Sequence, residues 1–399
     1  MTLEKPAIVR LKPGREASVV RRHPWIFSGA IGKVQGSPAS GDLVRVFSAD
    51  DRLLGVGGFS PNSQIRVRLF SFCDVEINPD YFSRQIERAI KRRHTILNHT
   101  QRSAFRLVYG ESDDLPGLIV DKYSDFLVCQ FLFAGIEPWK STLVDILAEQ
   151  SGCCGIFERS DASSRLKEGL PKTSGVVWGE QPPETLLINE HEMYFGVDVA
   201  GGQKTGFYLD QVENRQFVQQ CSKDKTVLNC FSYTGAFSVA ALKGGASHAI
   251  SVDASAAALQ LAIDNVARND IDQSRHTAVE GNAFNVLRSY QQAGQQFDMV
   301  ILDPPKFAEN KKQVPKAARA YKDLSLQASK LIAPGGLLIT FSCSGAIDMN
   351  LFQKITADAL QDAKRHGEIV RYLHQGADHP IALGFPESQY LKGLVCRVN

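Results

Sequence analysis

A cysteine stands directly after an apolar stretch in the C-terminal part of the chain. Residues 337–341 read L-L-I-T-F and are followed by S-C-S-G, in which the cysteine is Cys343. This pattern predicts a buried strand that ends in a turn of small residues, with Cys343 at the carboxyl end of the strand. In open α/β sheets, ligands bind at that edge. Cys343 is therefore either a small apolar core residue, the usual role of a free cysteine, or a nucleophile.

An acid and a lysine follow a second apolar stretch. Residues 297–303 are predicted to form a strand, and Asp303 is followed by two prolines and Lys306. Two prolines make a rigid turn without backbone donors, so Asp303 and Lys306 are expected to keep fixed positions. Methyltransferases that act on planar nitrogen groups carry Asp or Asn, two prolines and an aromatic residue here. This chain has Lys306 at the aromatic position.

Together, these three side chains could methylate carbon 5 of a pyrimidine. That carbon is a weak nucleophile, so a Cys343 thiolate would first add to carbon 6 and convert the ring into an enamine that attacks the methyl group. A base then removes the carbon-5 proton and the thiolate leaves. A neighbouring cation such as Lys306 would lower the pKa of the thiol. Asp303 would hold the N3/N4 edge of cytosine and stabilise the adduct, and in this setting the nucleophile is the favoured interpretation of Cys343.

The first strand–helix turn of the same region indicates the methyl donor. Residues 229–235 contain one glycine, Gly235, instead of G-x-G-x-x-G, so a cofactor without phosphates fits better than NAD. Asp253, 18 residues after Gly235, closes the second strand, where an acid can hold ribose hydroxyls. Asn282 and Ala283 follow the third strand and are placed to contact an adenine edge. These residues predict an S-adenosylmethionine site in a class I methyltransferase.

Basic residues are concentrated near the N-terminus. Residues 1–73 contain eleven Lys or Arg against five Asp or Glu, whereas the whole chain has a net charge of +2. Within this segment Arg21, Arg22 and His23 lie next to Trp25. Cations for phosphates and a planar ring for bases are the combination that RNA binding uses. A solvated charged face and a core position for Trp25 are the structural alternatives.

The elements that must position these residues fall into three predicted domains. Residues 1–80 read as short strands with Gly-rich turns, which predicts a small β-barrel. Residues 81–190 predict an α+β middle domain that begins with a basic helix over 81–106. Residues 191–399 alternate strands and helices, which predicts a doubly wound, largely parallel α/β sheet of the Rossmann-like class.

Composition excludes several other classes of protein. The eight cysteines are scattered without a C-x-x-C pair, which favours a reduced, cytoplasmic compartment and argues against zinc ribbons. His191-Glu192 begins an H-E-x-x-H pattern, but Phe195 replaces the second His, so no metal site is predicted. No apolar run of membrane-spanning length occurs, and Met1–Pro6 lacks the apolar segment of a secretion signal, so neither a membrane span nor secretion is expected.

Several motifs, spread over nearly the whole chain, resemble one family in combination. Those motifs cover residues 21–29, 110–117, 204–211, 229–235, 303–307, 341–345 and 390–397. On these residues the chain resembles the ribosomal RNA large subunit methyltransferase I family. The resemblance implies an N-terminal PUA domain, a small middle domain and a class I methyltransferase domain. It also implies 5-methylcytosine formation in large-subunit rRNA with S-adenosylmethionine as donor and Cys343 as nucleophile.

The same resemblance implies the residues that surround the cofactor. They are Lys204, Thr205, Gly206, Tyr208, Phe231, Tyr233, Thr234, Gly235, Asp253, Asn282, Ala283 and Asp303. RNA 5-methylcytosine enzymes generally carry a second cysteine in the fourth-strand motif, which is associated with product release, and here Lys306 takes that place. Asn282 stands where an Asp is often found.

Two other functions stay open at this point. One is an rRNA methyltransferase that acts on an exocyclic amine, with Asp303 as acceptor and Cys343 in the core. The other is a non-catalytic RNA-binding assembly factor that has retained the fold. The expected partner is large-subunit rRNA or a ribosome assembly intermediate, and a homodimer is also open.

Overall fold

The structure, a computed structural model, describes residues 7–97 and 100–399. Residues 1–6, which entered the localisation and charge arguments, and residues 98 and 99 of the predicted basic helix lie outside the described residues. The chain divides into two units. The first unit comprises the chain up to Ile188 together with Val197–Phe207 and Ala377–Ser388. The second unit comprises Asn189–Gly196, Tyr208–Gly376 and Gln389–Asn399.

The N-terminal part of the first unit forms a sheet around a core of branched aliphatic residues. The elements are β1 (Ala7–Leu11), α1 (Ala17–Val20), β2 (Trp25–Phe27), β3 (Ile31–Gln35), β4 (Leu43–Phe47), β5 (Leu53–Phe59) and β6 (Ile65–Ser71). Among the described residues the sheet has six strands in the order β2-β6-β5-β4-β1-β3. Val9, Val44 and Val67 are fully buried in its core. Strands β2 and β3 lie where no strand was predicted, because β2 has only three residues, all apolar, and β3 is mostly exposed, so neither has an alternating apolar pattern.

The rest of the first unit packs two longer helices against a second sheet. The elements are α2 (Pro79–Leu97), β7 (Ala104–Tyr109), β8 (Leu118–Tyr123), β9 (Phe126–Phe131), α3 (Lys140–Ser151), β10 (Gly155–Ser160), α4 (Ser164–Lys167) and β11 (Thr173–Gly179). The strand order is β11-β10-β9-β8-β7. The predicted hairpin of residues 115–131 is confirmed by the antiparallel pair β8 and β9.

The basic segment 81–106 does not form the single helix that was predicted. The helix ends at Leu97, and Arg106 lies on β7. Arg93 is fully buried and pairs with Asp113 at 2.7 Å, while Arg102 pairs with Asp378 at 2.8 Å. These two arginines therefore stabilise the interior of the first unit.

The second unit contains the predicted doubly wound sheet. Two short strands, β12 (Leu186–Glu190) and β13 (Met193–Val197), precede this sheet in the chain. The sheet and its helices are α5 (Val212–Cys221), β14 (Thr226–Cys230), α6 (Ala236–Lys243), β15 (His248–Asp253), α7 (Ala256–Arg268), β16 (His276–Glu280), α8 (Ala283–Gln292), β17 (Phe297–Leu302), α9 (Val314–Leu331), β18 (Ile332–Ser342), α10 (Met349–Asp362), β19 (Gly367–Leu373) and β20 (Lys392–Val398). The strand order is β16-β15-β14-β17-β18-β20-β19. The first five strands are parallel, and β20 runs antiparallel to both of its neighbours.

Most strand and helix limits of this sheet follow the prediction closely, but helix α5 was not predicted and β18 begins four residues before its predicted start at Gly336. Helix α9 begins at Val314, seven residues before the predicted start, because its first turns are polar and carry Pro315 near the N-terminus. Proline is tolerated there because the first turn does not need its N–H. Among residues 7–97 and 100–399, no helix combines the length and the apolar character needed to cross a membrane.

Candidate functional site

The five parallel strands of the second unit end at one edge of the sheet. Because parallel strands share their direction, the residues that follow each strand gather there. Residues 231–235 follow β14, Asp253 closes β15, and Asn282 lies beyond β16. Asp303 and Cys343 follow β17 and β18, so the structure places these predicted site residues at a common edge.

The turn after β14 has an unusual backbone. Phe231, Tyr233 and Gly235 have φ angles of 60°, 47° and 73°, in the left-handed region. A Cβ at Gly235 would lie 2.6 Å from the Ala262 Cβ, so the close packing of α6 on α7 requires glycine. The carboxylate of Asp253 accepts a hydrogen bond from the Tyr233 N–H at 2.8 Å, which ties the second strand to this turn.

The same turn has polar atoms that fit a bound cofactor. The hydroxyl oxygens of Ser232 and Thr234 are buried without a hydrogen-bond partner among the described residues. Such orphaned groups are costly unless a ligand or water satisfies them. Asn282 caps α8, its side-chain oxygen accepting from the Phe284 N–H at 3.0 Å. This contact leaves the Asn282 NH2 group available as a donor.

Asp303 is held by an amide network that was not predicted from the sequence. The Gln211 side-chain amide donates to an Asp303 carboxylate oxygen at 2.9 Å. The Gln211 carbonyl oxygen accepts from the Asn214 amide at 2.6 Å, and Asn214 also donates to the His374 carbonyl oxygen at 3.1 Å. Gln211 and Asn214 are buried, so the network fixes one oxygen of Asp303. The only sequence signal was the position of Gln211 at the end of the 204–211 motif.

Tyr208 lies near both the Asp303 carboxylate and the Cys343 thiol. Burial raises the pKa of its phenol well above the usual value, and the negative charges of Asp303, Asp210, Tyr233 and Cys343 raise it further. The Tyr208 ring also meets the Tyr233 ring edge to face, with centroids 5.6 Å apart. Tyr208 is therefore a neutral phenol in the same neighbourhood as Asp303 and Cys343.

The turn that carries Cys343 is anchored by hydroxyl groups. The Ser342 hydroxyl donates to the Tyr321 phenol oxygen at 3.0 Å, and the Tyr321 and Ser344 hydroxyls are 3.1 Å apart. The Ala308 N–H donates to the Ser344 hydroxyl at 3.2 Å, which connects this turn to the loop after β17. Both serines are fully buried, whereas Cys343 between them is partly exposed.

Other cysteines of the same sheet have a different environment. Cys230 on β14 and Cys396 on β20 are buried. Burial raises the pKa of each thiol to about 12. Such thiols behave as small apolar core residues, and Cys343 is distinguished from them by its exposure at the ligand-binding edge.

A buried lysine beside the Cys343 turn is the second feature that the sequence did not reveal. Lys392 is 6% exposed. Its ammonium donates to the Ser344 carbonyl oxygen at 3.1 Å and to the Tyr390 carbonyl oxygen at 2.7 Å. Lys306, the cation expected from the sequence, is exposed in the loop after β17.

Three of the predicted cofactor residues belong to the first unit. Lys204, Thr205 and Gly206 lie in its segment Val197–Phe207. The Thr205 hydroxyl donates to the Asp121 carboxylate at 2.6 Å and is 2.9 Å from the Tyr123 phenol oxygen. These contacts bury Thr205 inside the first unit, and a role of the three residues in cofactor binding stays a prediction.

The predicted RNA-binding residues differ in their exposure and in their contacts with the rest of the first unit. Arg21 and Arg22 are exposed. The Trp25 indole N–H donates to Glu111 at 2.7 Å, and its ring meets Phe385 edge to face at 4.7 Å. His23 lies 3.1 Å from a carboxylate oxygen of Glu387. Trp25 is thus engaged by contacts within the first unit, and RNA binding by these four residues stays a prediction.

Two family models match the chain. The model for S-adenosylmethionine-dependent methyltransferases matches residues 165–373, and a PUA-like domain matches residues 9–72. The predicted classes of the N-terminal and C-terminal domains and the predicted methyl donor are thereby confirmed. The limits predicted for the three domains, at residues 80 and 190, stay a prediction.

Curated relatives match over almost the full length. A protein of Shewanella denitrificans named ribosomal RNA large subunit methyltransferase I is 50% identical over 98% of this chain and 99% of the relative. A protein of the same name from Vibrio parahaemolyticus is 48% identical over 98% and 99%. Among solved structures, SMU.776 in complex with SAH has a TM-score of 0.85 at 24% identity, over 98% of this chain and 99% of the other. At that identity the likeness concerns the fold.

Proposed function

This chain belongs to the ribosomal RNA large subunit methyltransferase I family, and from that premise we propose that it methylates carbon 5 of a cytosine in large-subunit rRNA through a covalent bond to Cys343. The observation that carries the proposal is the position of Cys343. It is a partly exposed thiol at the carboxyl end of β18. The charges of Cys343 and Asp303 both act on the Tyr208 phenol, so the two residues belong to one site.

The cofactor site is built from the residues that follow the first strands of the sheet. S-adenosylmethionine, when bound, supplies the methyl group. We assign the turn 231–235 and Asp253 to the ribose and methionine part and Asn282 to the adenine. The unpaired hydroxyls of Ser232 and Thr234 support a polar ligand at this turn.

Cys343 performs the covalent step. Its thiolate adds to carbon 6 of cytosine and breaks the carbon 5–carbon 6 π bond, and the released electron pair makes carbon 5 nucleophilic enough to take the methyl group. Removal of the carbon-5 proton by a base then restores the double bond and expels the thiolate. The anchored serines on either side keep Cys343 at one position during both steps.

Asp303 orients the base. Gln211 donates to one of its carboxylate oxygens, and the proposed role of the other is to accept from the cytosine N4 amine. The exposed Lys306 contributes positive charge near the thiol. A base in a duplex is inaccessible to this site, so the target nucleotide must be unstacked. Single-stranded loops or a ribosome assembly intermediate in the cytoplasm therefore suit the site better than intact duplex.

The identity of the methylated nucleoside tests the proposal. rRNA from cells that lack the protein, incubated with the purified protein and deuterated S-adenosylmethionine and then digested to nucleosides, should yield labelled 5-methylcytidine in mass spectrometry. Labelled N4-methylcytidine would instead establish the exocyclic-amine reaction, for which the Asp303-Pro-Pro sequence is suited. Cofactor binding without any transfer would favour a non-catalytic assembly factor.

RNA binding by the first unit predicts a salt-dependent affinity that depends on Arg21 and Arg22. Each phosphate contact adds about 0.7 to the slope of log K against log salt for single strands. The double charge reversal Arg21→Glu with Arg22→Glu should therefore weaken binding to an rRNA fragment and reduce the slope by about one to two. Filter binding or fluorescence anisotropy over a range of salt concentrations measures both quantities.

A matched control for this experiment is available in the second unit. Lys223 and Lys243 are both exposed. Lys223 follows α5 and Lys243 ends α6, so both lie away from the carboxyl edge of the sheet. Reversing these two charges changes the net charge by the same amount. An equal loss of affinity in the control, or a flat salt response of the wild type, would contradict RNA binding through Arg21 and Arg22.

A further inference from the structure

Lys392 is a buried lysine beside the proposed nucleophile. It is the first residue of β20, which pairs antiparallel with β18 and places Lys392 opposite Ser342. Ser342 directly precedes Cys343 in the chain. Building on the proposed function, we propose that the Lys392 ammonium holds the Cys343 thiol in its ionised form and thereby prepares it for addition to the pyrimidine.

The hydrogen bonds of Lys392 leave its charge without a close counter-ion. Its two acceptors, the carbonyl oxygens of Ser344 and Tyr390, are neutral. Among the described residues, Lys392 forms no ion pair with a carboxylate. A buried ammonium is costly unless it is paired, so an anion formed nearby is strongly favoured. An ammonium also has three donors, one more than these two carbonyl groups use.

The charged groups around Lys392 identify that anion. Burial lowers the pKa of Lys392, whereas negative charge on Cys343 and Asp348 raises it and the charge of Lys306 lowers it. Cys343 also faces the phenols of Tyr208 and Tyr321. Burial raises both phenol pKa values, so both phenols stay neutral near pH 7 and cannot supply the counter-charge. Asp348 is exposed and accepts from the Leu351 N–H at the start of α10, so we assign the Cys343 thiolate as the principal partner of Lys392.

The two lysines near the thiol are not equivalent. Lys306 is exposed, so water and salt screen its field at Cys343. Lys392 acts through the protein interior, where the effective dielectric constant is lower and the same charge has a larger effect. Lys392 also binds the Ser344 carbonyl group and so fixes the turn that carries Cys343. Lys392 is accordingly a positioning and electrostatic residue that acts through Cys343.

The step that Lys392 promotes is a simple proton release. The S–H bond of Cys343 breaks, its electron pair stays on the sulfur, and the proton passes to water. Lys392 keeps its three protons throughout. The thiolate electron pair then forms the bond to carbon 6 of the base. No oxidant, reductant or further reactant is required.

The pH dependence of Cys343 alkylation by iodoacetamide tests this inference. The full-length protein is alkylated without RNA or methyl donor, and peptide mass spectrometry separates Cys343 from the other cysteines. Because only the thiolate displaces iodide, the midpoint of the rate profile reports the thiol pKa. Lys392→Met should raise that midpoint by about one unit, which slows alkylation about tenfold at pH values below both midpoints. Lys392→Arg, which keeps the charge, should stay near wild type, and Lys306→Met should shift the midpoint less.

A second neutral variant, Lys392→Gln, guards against a folding defect in the first. Thermal unfolding and S-adenosylmethionine binding show which variants are folded. An unchanged midpoint in a folded neutral variant, or a larger shift in Lys306→Met, overturns the inference. The alkylation measurement needs no RNA, so it tests the effect of Lys392 on Cys343 separately from the proposed methylation of cytosine. A shifted midpoint in a protein that forms no 5-methylcytidine would contradict the proposed function alone.

Discussion

Replacing Cys343 by alanine should lower kcat for rRNA methylation by at least about a thousandfold, because loss of a covalent nucleophile removes the whole reaction path. The variant should still bind S-adenosylmethionine, since Cys343 lies after β18 and the proposed cofactor residues follow β14, β15 and β16. Methyl transfer from labelled donor measures the rate, and calorimetry measures cofactor binding.

RNA that contains 5-fluorocytidine tests the same prediction, because it should trap a covalent complex with the protein. After methyl transfer, carbon 5 carries fluorine in place of the proton, and a base cannot remove fluorine as a cation. The thiolate therefore cannot leave, and a stable bond between Cys343 and carbon 6 should remain. Denaturing gels should show the complex for the wild-type protein and not for Cys343→Ala, and peptide mass spectrometry should locate it at Cys343.

Cys221 provides the matched control. It is partly exposed like Cys343 but ends α5 instead of a sheet strand. Burial raises the pKa of its thiol, which makes it a poor nucleophile. Cys221→Ala should keep both the methylation rate and the complex. Normal activity of Cys343→Ala would exclude the covalent mechanism and return Cys343 to the core interpretation.

Asp303→Asn should lower kcat/KM about a hundredfold with little change in cofactor affinity. Gln211 donates to one carboxylate oxygen, and in the proposed complex the cytosine N4 amine donates to the other. An asparagine must turn its NH2 group toward one of these donors. A donor facing a donor leaves buried polar groups unsatisfied, which costs about 2–3 kcal/mol. Single-turnover methylation and calorimetry separate the effect on chemistry from the effect on binding.

The amide network around Asp303 offers a rescue that a general loss of stability would not show. Gln211→Glu in the Asp303→Asn background supplies an acceptor for the new NH2 group and still accepts from Asn214. The double variant should be at least about ten times as active as Asp303→Asn. Gln211→Glu alone places two carboxylates together and should be impaired. If the double variant is no better than Asp303→Asn, the proposed orientation of Asp303 is wrong.

The aromatic residues that follow Arg21 and Arg22 show one limit of sequence reasoning. The sequence predicted that Trp25 offers its ring to RNA, with a core position as the alternative. In the structure the Trp25 N–H donates to Glu111, and Phe385 meets the Trp25 ring in an edge-to-face contact. Phe27, two residues later, is 48% exposed. Residues two apart in a regular strand share a face, but the register of β2 on β6 shifts between Ile26 and Phe27. Only the packing of distant segments therefore decides which aromatic ring stays exposed.

The sequence by itself determined the sheet and the strand-end residues of the site. Apolar stretches followed by Asp253, Asp303 and Cys343 are local patterns, and parallel strands bring their carboxyl ends to one edge whatever the rest of the chain does. Helix α8 was predicted with the limits that the structure has, Ala283–Gln292. These features needed no knowledge of long-range packing.

Only the tertiary structure decided which side chains support those residues. Gln211 reaches Asp303 across 92 residues of sequence, and Lys392 reaches the Ser344 carbonyl group across 48. A glutamine on a short helical turn and a lysine at the start of a strand look like ordinary surface residues in the sequence, because polar side chains are usually exposed. Their burial depends on how α5 and β20 pack, and for that reason the positioning of Asp303 and the charge beside Cys343 became visible only in the folded chain.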